Sequence, residues 1–226
     1  MSLLINDLDT NKSVGIDEIS PKIVKWSAPL IVPLLTNILN KCMVAGIYPD
    51  SLKIARVIPI FKGGNKNDTS SYRPISILTQ INRIFEKLLR DRLYEFFKDK
   101  LYHKQFGFRP ENSTEHPVLD LKENIFENCS KKQISCILFL DLKKAFDSVS
   151  HKILLSKMEY YGVQGVALNL FRSYLSNRKQ RTCIDAIVSD LDIIEWGVAQ
   201  GSVLGPLPSK KFHVAFVSQR CRRDFG

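Results

Sequence analysis

The segment ISCILFLDLKKAFD, residues 134–147, constrains the fold most, because a nearly unbroken apolar run ends in a carboxylate. Such a run predicts a buried strand over residues 134–140. Asp141 would then stand at the exit of the strand, where the sheet holds its backbone and its side chain can reach solvent or a metal ion. The residues alone leave a plainer alternative open, in which Asp141 only ends the strand and Asp147 caps a helix over residues 150–161.

The charge and the cysteines narrow the class of protein. A net charge of +10, from 33 Lys and Arg against 23 Asp and Glu, favours a polyanionic partner over an acidic small substrate. Five dispersed cysteines without a C-x-x-C pair argue against a disulfide framework and against a zinc site. They suit a reducing compartment, so we expect an intracellular location, cytoplasmic, nuclear or both. The Walker loop, the Rossmann glycine pattern and the nucleophile elbow are absent from the sequence, which disfavours a small-molecule enzyme.

Two features predict that no segment enters a membrane. The start of the chain, MSLLINDLDTNK, lacks the basic region and apolar core of a signal peptide. The longest apolar run, residues 28–35, is interrupted by Pro29 and Pro33. It is far shorter than the roughly 20 residues that span a bilayer, so we expect no membrane partner.

Local patterns predict alternating helices and strands along the rest of the chain. A β-branched run over residues 55–62 and a second run over 72–78 predict a hairpin with a long basic tip. Pro59 and Pro74 remove donors from the ladder, so these strands should lie at an edge or be irregular. An amphipathic helix follows over residues 79–98. The other predicted elements are helices over 21–26, 30–45 and 166–175, a helix that begins at Asn112 or Ser113, and strands over 181–187 and 191–198.

Seven short motifs follow one another between about Asn11 and Leu207. They read KSVGIDEI, VIPIFKGG, SYRPISIL, RIFEKLL, QFGFR, LFLDLKKAFDSVSHKILL and GVAQGSVLGPL. In this order and spacing they resemble the reverse transcriptase domain of non-LTR retrotransposons, the LINE-type elements of animal genomes. The resemblance implies a right-hand polymerase with helical and hairpin fingers, a palm built on an antiparallel sheet, and a thumb.

The expected fold class is therefore α+β. We expect a partial right-hand polymerase in which helical and hairpin fingers are interleaved with an incomplete antiparallel-sheet palm, with the thumb missing. The expected regions are fingers-like residues 1–133, a partial palm over 134–207 and a divergent basic tail over 208–226.

The chemistry that the resemblance implies is nucleotidyl transfer onto a primer hydroxyl by two Mg²⁺ ions. Carboxylates must hold such ions. The matching catalytic and metal-binding acid is Asp141, with the carbonyl of Leu142 as a second ligand. The implied partners are an RNA template, a DNA primer and dNTPs.

The resemblance also assigns residues to the incoming nucleotide. Phe146 matches the aromatic that excludes a ribose 2′-hydroxyl, although the residue alone could be a core aromatic. Arg73 matches the arginine of the fingers that grips the triphosphate, because a guanidinium fork suits phosphate oxygens. Lys62 is a second candidate there, or else a solvated lysine of the hairpin.

Gln200 and Gly201 match the loop that positions the templating base and the nucleotide, where a glycine lets the backbone approach closely. Ala199 replaces the proline usual before them, which we expect to loosen the loop. Further basic residues are predicted to contact a nucleic-acid backbone; these are Lys66, Arg172, Arg178, Lys179 and Arg181.

The sequence departs from the family after Leu207. The family continues to a hairpin bearing F/Y-A-D-D, whose aspartates complete the metal site, whereas residues 1–226 contain no Asp-Asp pair. We interpret the tail as foreign to the family, with a genuine but divergent ending as the alternative, and expect that this chain alone does not polymerise. The expected function is a fragment of an RNA-directed DNA polymerase domain. The alternative is a catalytically inactive retroelement relic that at most binds nucleic acid.

Overall fold

The computed structural model describes residues 1–107, 109–140 and 145–205. Within these ranges the chain is a mixture of helices and a five-stranded sheet. The helices are α1 (Ser2–Asn6), α2 (Pro21–Trp26), α3 (Ala28–Ala45), α4 (Gln80–Phe97), α5 (Glu115–Ser130), α6 (His151–Tyr160) and α7 (Gly165–Leu175). The strands are β1 (Ile54–Phe61), β2 (Tyr72–Ile77), β3 (Lys179–Ile184), β4 (Ile187–Val188) and β5 (Asp192–Ile193).

The predicted hairpin is confirmed as the antiparallel pair β1 and β2, with Phe61 opposite Tyr72. The strand order is β2-β1-β3-β4, and β5 pairs with the other part of β3. β3 runs parallel to β1 but pairs only with residues 54–57. Pro59 lies beyond the residues of β1 that pair with β3, and it stands opposite Pro74 of the edge strand β2. Neither position requires the backbone N–H that a proline lacks, so the two prolines do not interrupt the hydrogen bonds between strands.

The predicted helix over 79–98 is confirmed as α4, whose N-cap Thr79 accepts a hydrogen bond from the amide of Asn82. The helix predicted over 150–161 is confirmed as α6. Its cap is Ser150, whose hydroxyl accepts from the amide of Ile153, and so the alternative in which Asp147 caps this helix is wrong.

Two hydrophobic cores hold these elements together. The smaller one joins α1, α2, α3 and α4 through Ile5, Leu8, Val24, Leu35 and Ile84. The larger core collects buried side chains from Leu39 to Leu204. It therefore contains residues of both the predicted fingers-like region and the predicted partial palm.

Helix α3 is long and apolar enough to cross a membrane by length and composition alone. It contains Pro33 and packs against α7, and its Leu35 and Leu39 are buried in the two cores. We interpret α3 as a helix of the fold. The absence of a membrane partner stays a prediction.

The strand predicted over 134–140 is wrong. These residues form neither helix nor strand, and Ile134 and Phe139 are 98% and 80% exposed. An apolar run forms a strand only where a neighbour completes its hydrogen bonds, and no described strand pairs with this segment. The strand predicted over 191–198 is also mostly wrong, because only Asp192–Ile193 pairs with β3 before the chain turns.

Candidate active site

The loop over residues 197–205, which we call the 197–205 loop, is held at its start by the segment around Phe146. The amide of Gly197 donates to the carbonyl of Val149 at 2.8 Å, and the amide of Val198 donates to the carbonyl of Phe146 at 2.9 Å. Gly197 has a φ of +83°, and a Cβ there would lie 2.9 Å from the Cα of Asp147. Both the backbone angle and the close approach require glycine.

The middle of the 197–205 loop crosses to the hairpin. Gln200 donates from Nε2 to Oδ1 of Asp147 at 2.8 Å, and its carbonyl accepts from the amide of Ser76 at 2.7 Å. Gly201 has a φ of +111°, and a Cβ there would meet the carbonyl oxygen of Ser76 at 2.8 Å. These contacts bring together residues near 76, 147 and 200, which are far apart in sequence.

Ala199, expected to loosen the loop, is buried, and its carbonyl accepts from both the amide and the hydroxyl of Ser202. The hydroxyl of Ser202 in turn accepts from the amide of Gly205 at 3.0 Å. The loop is thus closed by its own hydrogen bonds without a proline.

Glu86 of α4 anchors the far end of the 197–205 loop. Its Oε2 accepts from the amide of Val203 at 2.7 Å, and its Oε1 accepts from the hydroxyl of Tyr174 at 2.9 Å. The Glu86 side chain is fully buried. Burial raises the pKa of Tyr174 far above its ordinary value, and the nearby charge of Glu86 raises that pKa further, so the tyrosine keeps its proton and donates.

The sequence pattern does not single out Glu86, because the apolar residues of RIFEKLL already account for that motif as part of an amphipathic helix. One signal was available. Glu86 lies four residues after Asn82 and three before Leu89, on the face of α4 that is buried. A charged residue on the buried face of a helix needs partners, which here are Tyr174 and Val203.

A cavity of about 270 Å³ lies where these segments meet, and we call it the loop cavity. Asp147 and Gln200 contribute its charged and amide groups, together with Gln180 of β3. Trp196, whose side chain is largely exposed, also lines it. The lining residues are Pro74, Ser76, Asp147, Gln180, Ile194, Trp196, Gly197, Val198, Ala199 and Gln200.

A larger cavity of about 480 Å³ lies on the opposite face of the hairpin. Its walls include Ile75 and Ile77, whose side chains alternate with those of Pro74 and Ser76 along β2. Gly201 lines this larger cavity, whereas Gln200 lines the loop cavity. Ser76 lines both cavities, so Gln200 and Gly201 lie where the two linings meet.

The residues predicted to bind the incoming nucleotide are only partly brought together. Phe146 is half-buried and packs against the larger core, next to Asp147 but outside the lining of the loop cavity. Arg73 and Lys62 are exposed on the hairpin, and neither lines that cavity. Arg73 lies opposite Ile60 and so shares the sheet face that borders the larger cavity. The roles of these three residues stay predictions.

The residues predicted to contact a nucleic-acid backbone divide into two groups. Lys66, Arg172 and Lys179 are exposed, and Arg181 is half-buried. Arg178 requires a correction, because its side chain is only 2% exposed. Its Nη1 donates to the carbonyl of Tyr174, and the guanidinium lies 4.6 Å from the centre of that ring. A guanidinium buried in this way cannot reach a phosphate.

The predicted metal ligands Asp141 and Leu142 lie outside the described residues. The residues that the structure describes contain no group of three or more His, Cys, Asp or Glu able to hold a metal ion. Asp147 is the carboxylate that lines the loop cavity, and its Oδ1 already accepts from Gln200. The described residues thus do not fit a site for two Mg²⁺ ions, and no chemical step can be derived through a metal from them.

Comparison with known proteins agrees with the arrangement of motifs. Residues 64–222 match the family described as "Reverse transcriptase (RNA-dependent DNA polymerase)", and the match extends past Leu207 into the segment interpreted as foreign. The "Probable RNA-directed DNA polymerase from transposon BS" of Drosophila melanogaster is 32% identical over 212 residues, which cover 90% of this chain and 23% of that protein. The "RNA-directed DNA polymerase from mobile element jockey" is 33% identical in Drosophila melanogaster and 31% in Drosophila funebris. Each of those two alignments covers 90% of this chain and 22% of the relative.

This chain spans less than a quarter of the length of these curated relatives. The family model, by contrast, matches well over half of the chain, including the hairpin tip, the segment around Phe146 and the 197–205 loop. The chain therefore belongs to the reverse transcriptase family, and it is similar to the RNA-directed DNA polymerases of LINE-type non-LTR retrotransposons.

Proposed function

We propose that this chain is part of a retrotransposon RNA-directed DNA polymerase and forms the portion that seats the incoming nucleotide against the template and primer. One observation carries the proposal: Ser76, Asp147 and Gln200 come from three separate motifs and are hydrogen-bonded into one wall of the loop cavity. Core packing alone does not require a half-buried amide and an exposed carboxylate to meet across 53 residues of sequence.

The 197–205 loop is suited to separate two ligands. Gln200 presents to the loop cavity, where an incoming dNTP would lie, and Gly201 borders the larger cavity, where the template strand would run. Without a side chain at residue 201, a base can approach the backbone closely. Arg73 shares the sheet face that borders the larger cavity, so the hairpin with Arg73 and Lys62 would supply cations both to the triphosphate and to the phosphates of the bound template.

In this proposal Mg²⁺ would enter through Asp141 and the carbonyl of Leu142, as the family implies. The ion would supply electrostatic stabilisation of the attacking and leaving oxygens. The described residues hold Gln200 and the nucleotide side of the loop in place through Asp147, Ser76 and Glu86.

The proposal predicts salt-dependent binding of an RNA–DNA primer–template. Each neutralised phosphate releases condensed counterions, so the logarithm of the affinity should fall linearly with the logarithm of salt, with a slope of about −0.9 per phosphate contact. Fluorescence anisotropy of a labelled primer–template between low and physiological salt measures this slope. A flat titration would contradict the proposal.

The basic tail needs its own control, because it could bind a polyanion without the fold. In the control variant its cations are replaced by glutamine. Binding that disappears in this variant would also contradict the proposal. The replaced residues are Lys210, Lys211, Arg220, Arg222 and Arg223.

A second candidate function is nucleic-acid binding without catalysis. It is favoured by the exposed cations Lys66, Arg172 and Lys179, which can contact phosphates without a metal ion. Primer extension with an RNA template, dNTPs and Mg²⁺ separates the two candidates. We expect no extension by this chain alone. Extension that is lost on Asp141→Ala would contradict that expectation and leave polymerisation as the better account.

A further inference from the structure

Trp196 is a large aromatic side chain that the motif comparison does not explain. Its side chain is 61% exposed, yet it lines the loop cavity beside Gln200 and Gln180. Leaving an indole in water forgoes the stabilisation that burial of its apolar surface would give. An aromatic side chain kept exposed at a cavity of this kind is suited to a ligand that covers it.

The backbone of Trp196 is fixed even though its side chain is free. Trp196 forms an antiparallel bridge with Ser150, directly before α6. The next residue, Gly197, donates to Val149, and its carbonyl accepts from Nε2 of His151 at 2.6 Å. The backbone that carries the indole is therefore rigid before a ligand binds. This reduces the conformational entropy that the protein loses when a ligand stacks on the indole.

We propose that Trp196 is a stacking platform for a nucleobase at the mouth of the loop cavity. A planar π surface accepts any base, and base–aromatic stacking is a general device of proteins that bind single-stranded nucleic acid. The amides of Gln180 and Gln200 line the same cavity and can hydrogen-bond the edge of a stacked base. Lys179, which is exposed and precedes Gln180 on β3, adds positive charge on that strand.

This inference rests on the proposed function, since it names a further contact of the same site. The base could belong to an incoming nucleotide or to a bound strand. Both present the same planar surface to the indole, and the experiment distinguishes them by the probe that is added.

The chain offers a clean optical test because it contains two tryptophans, Trp26 and Trp196. Trp26 is exposed on α2 and lines neither the loop cavity nor the larger cavity. The full chain carrying Trp26→Phe therefore reports from Trp196 alone. Its emission is titrated with dTTP, with single-stranded oligo-dT and with the RNA–DNA primer–template, while anisotropy of labelled nucleic acid measures binding independently.

We expect quenching of Trp196 that saturates together with binding. If dTTP quenches the emission and the nucleic acids do not, the stacked base belongs to the nucleotide. If the nucleic acids quench it and dTTP does not, the base belongs to a bound strand. Trp196→Ala should weaken binding of the quenching probe by about 5- to 160-fold. Trp196→Phe should restore most of the affinity, whereas the matched control Trp26→Ala should leave it unchanged.

Two results would overturn the inference, and they differ in what they imply. If nucleic acid binds but the emission of Trp196 does not change, Trp196 is no platform and the proposed function stands. If no probe binds to the wild-type chain, the proposed function fails and the inference fails with it. The quenching result needs no substitution at Trp196, so it holds even if Trp196→Ala folds poorly.

Discussion

Replacing Gly197 by alanine is expected to destabilise the chain by roughly 2–5 kcal/mol, a large part of the stability of an ordinary domain. A φ of +83° is costly for any residue with a Cβ, by about 1–2 kcal/mol. The added Cβ would also press on backbone atoms of Phe146 and Asp147 at 2.9 Å, and overpacking of this kind costs about 1–3 kcal/mol more. Urea unfolding followed by circular dichroism measures the loss.

Gly63 supplies a matched control for this substitution. It also has a positive φ, +120°, but a Cβ there would meet nothing within 4 Å. Gly63→Ala should therefore show only the backbone cost, about 1–3 kcal/mol. Equal destabilisation by the two substitutions would contradict the close packing of Gly197 against residues 146 and 147.

The second large effect is expected at Glu86. Glu86→Ala would leave the amide of Val203 and the hydroxyl of Tyr174 without their acceptor. An unsatisfied buried group costs about 1–3 kcal/mol, so two of them should cost roughly 2–6 kcal/mol. Glu86→Gln keeps one acceptor oxygen and should fall in between. Chemical denaturation measures all three proteins.

Glu95 is the matched control, because it lies on the same helix with its side chain largely exposed. Glu95→Ala loses only a surface ion pair with Lys98 and should change stability by less than about 1 kcal/mol. Hydrogen exchange adds a local measurement: Glu86→Gln should speed exchange in the 197–205 loop more than in β1 or α7. Uniform acceleration along the chain would show that Glu86 supports the fold in general and does not anchor this loop.

Elements that depend on local pattern could be predicted from the sequence. The helical spacing of its apolar residues predicts helix α4, and the structure adds the cap at Thr79. The β1–β2 hairpin was predicted because two β-branched runs flank a turn-rich segment. In both, neighbouring residues in the sequence supply the deciding interactions.

The errors arise where distant residues decide the structure. Residues 134–140 have the composition of a buried strand but have no pairing strand among the residues that the structure describes. Arg178 has the residue type of a phosphate contact, but its stacking on Tyr174 removes it from the surface. Charge and hydrophobicity in a sequence do not report which tertiary partner a side chain will find.

The candidate site contains residues that the sequence identifies and contacts that it does not. Gln200 and Gly201 were identified from their motif, yet the hydrogen bond from Gln200 to Asp147 joins residues 53 apart and leaves no local signal. Trp196 does not belong to any of the seven motifs, so the sequence gives it no role. Its position at the loop cavity is what suggests one.

Nucleic acid is expected to bind across the hairpin and the 197–205 loop. The most direct measurement compares primer–template affinity and its salt slope in two double variants that change the net charge equally. One is Lys62→Glu with Arg73→Glu on the hairpin, and the other is Lys22→Glu with Lys41→Glu on helices α2 and α3. All four side chains are exposed.

We expect the hairpin variant to bind at least about tenfold more weakly and to lose about one unit of salt slope for each phosphate contact removed. The helix variant should stay close to wild type, apart from a small general effect of net charge. Equal loss in the two variants would show that binding follows the overall charge of the chain and would contradict a defined nucleic-acid site on this face.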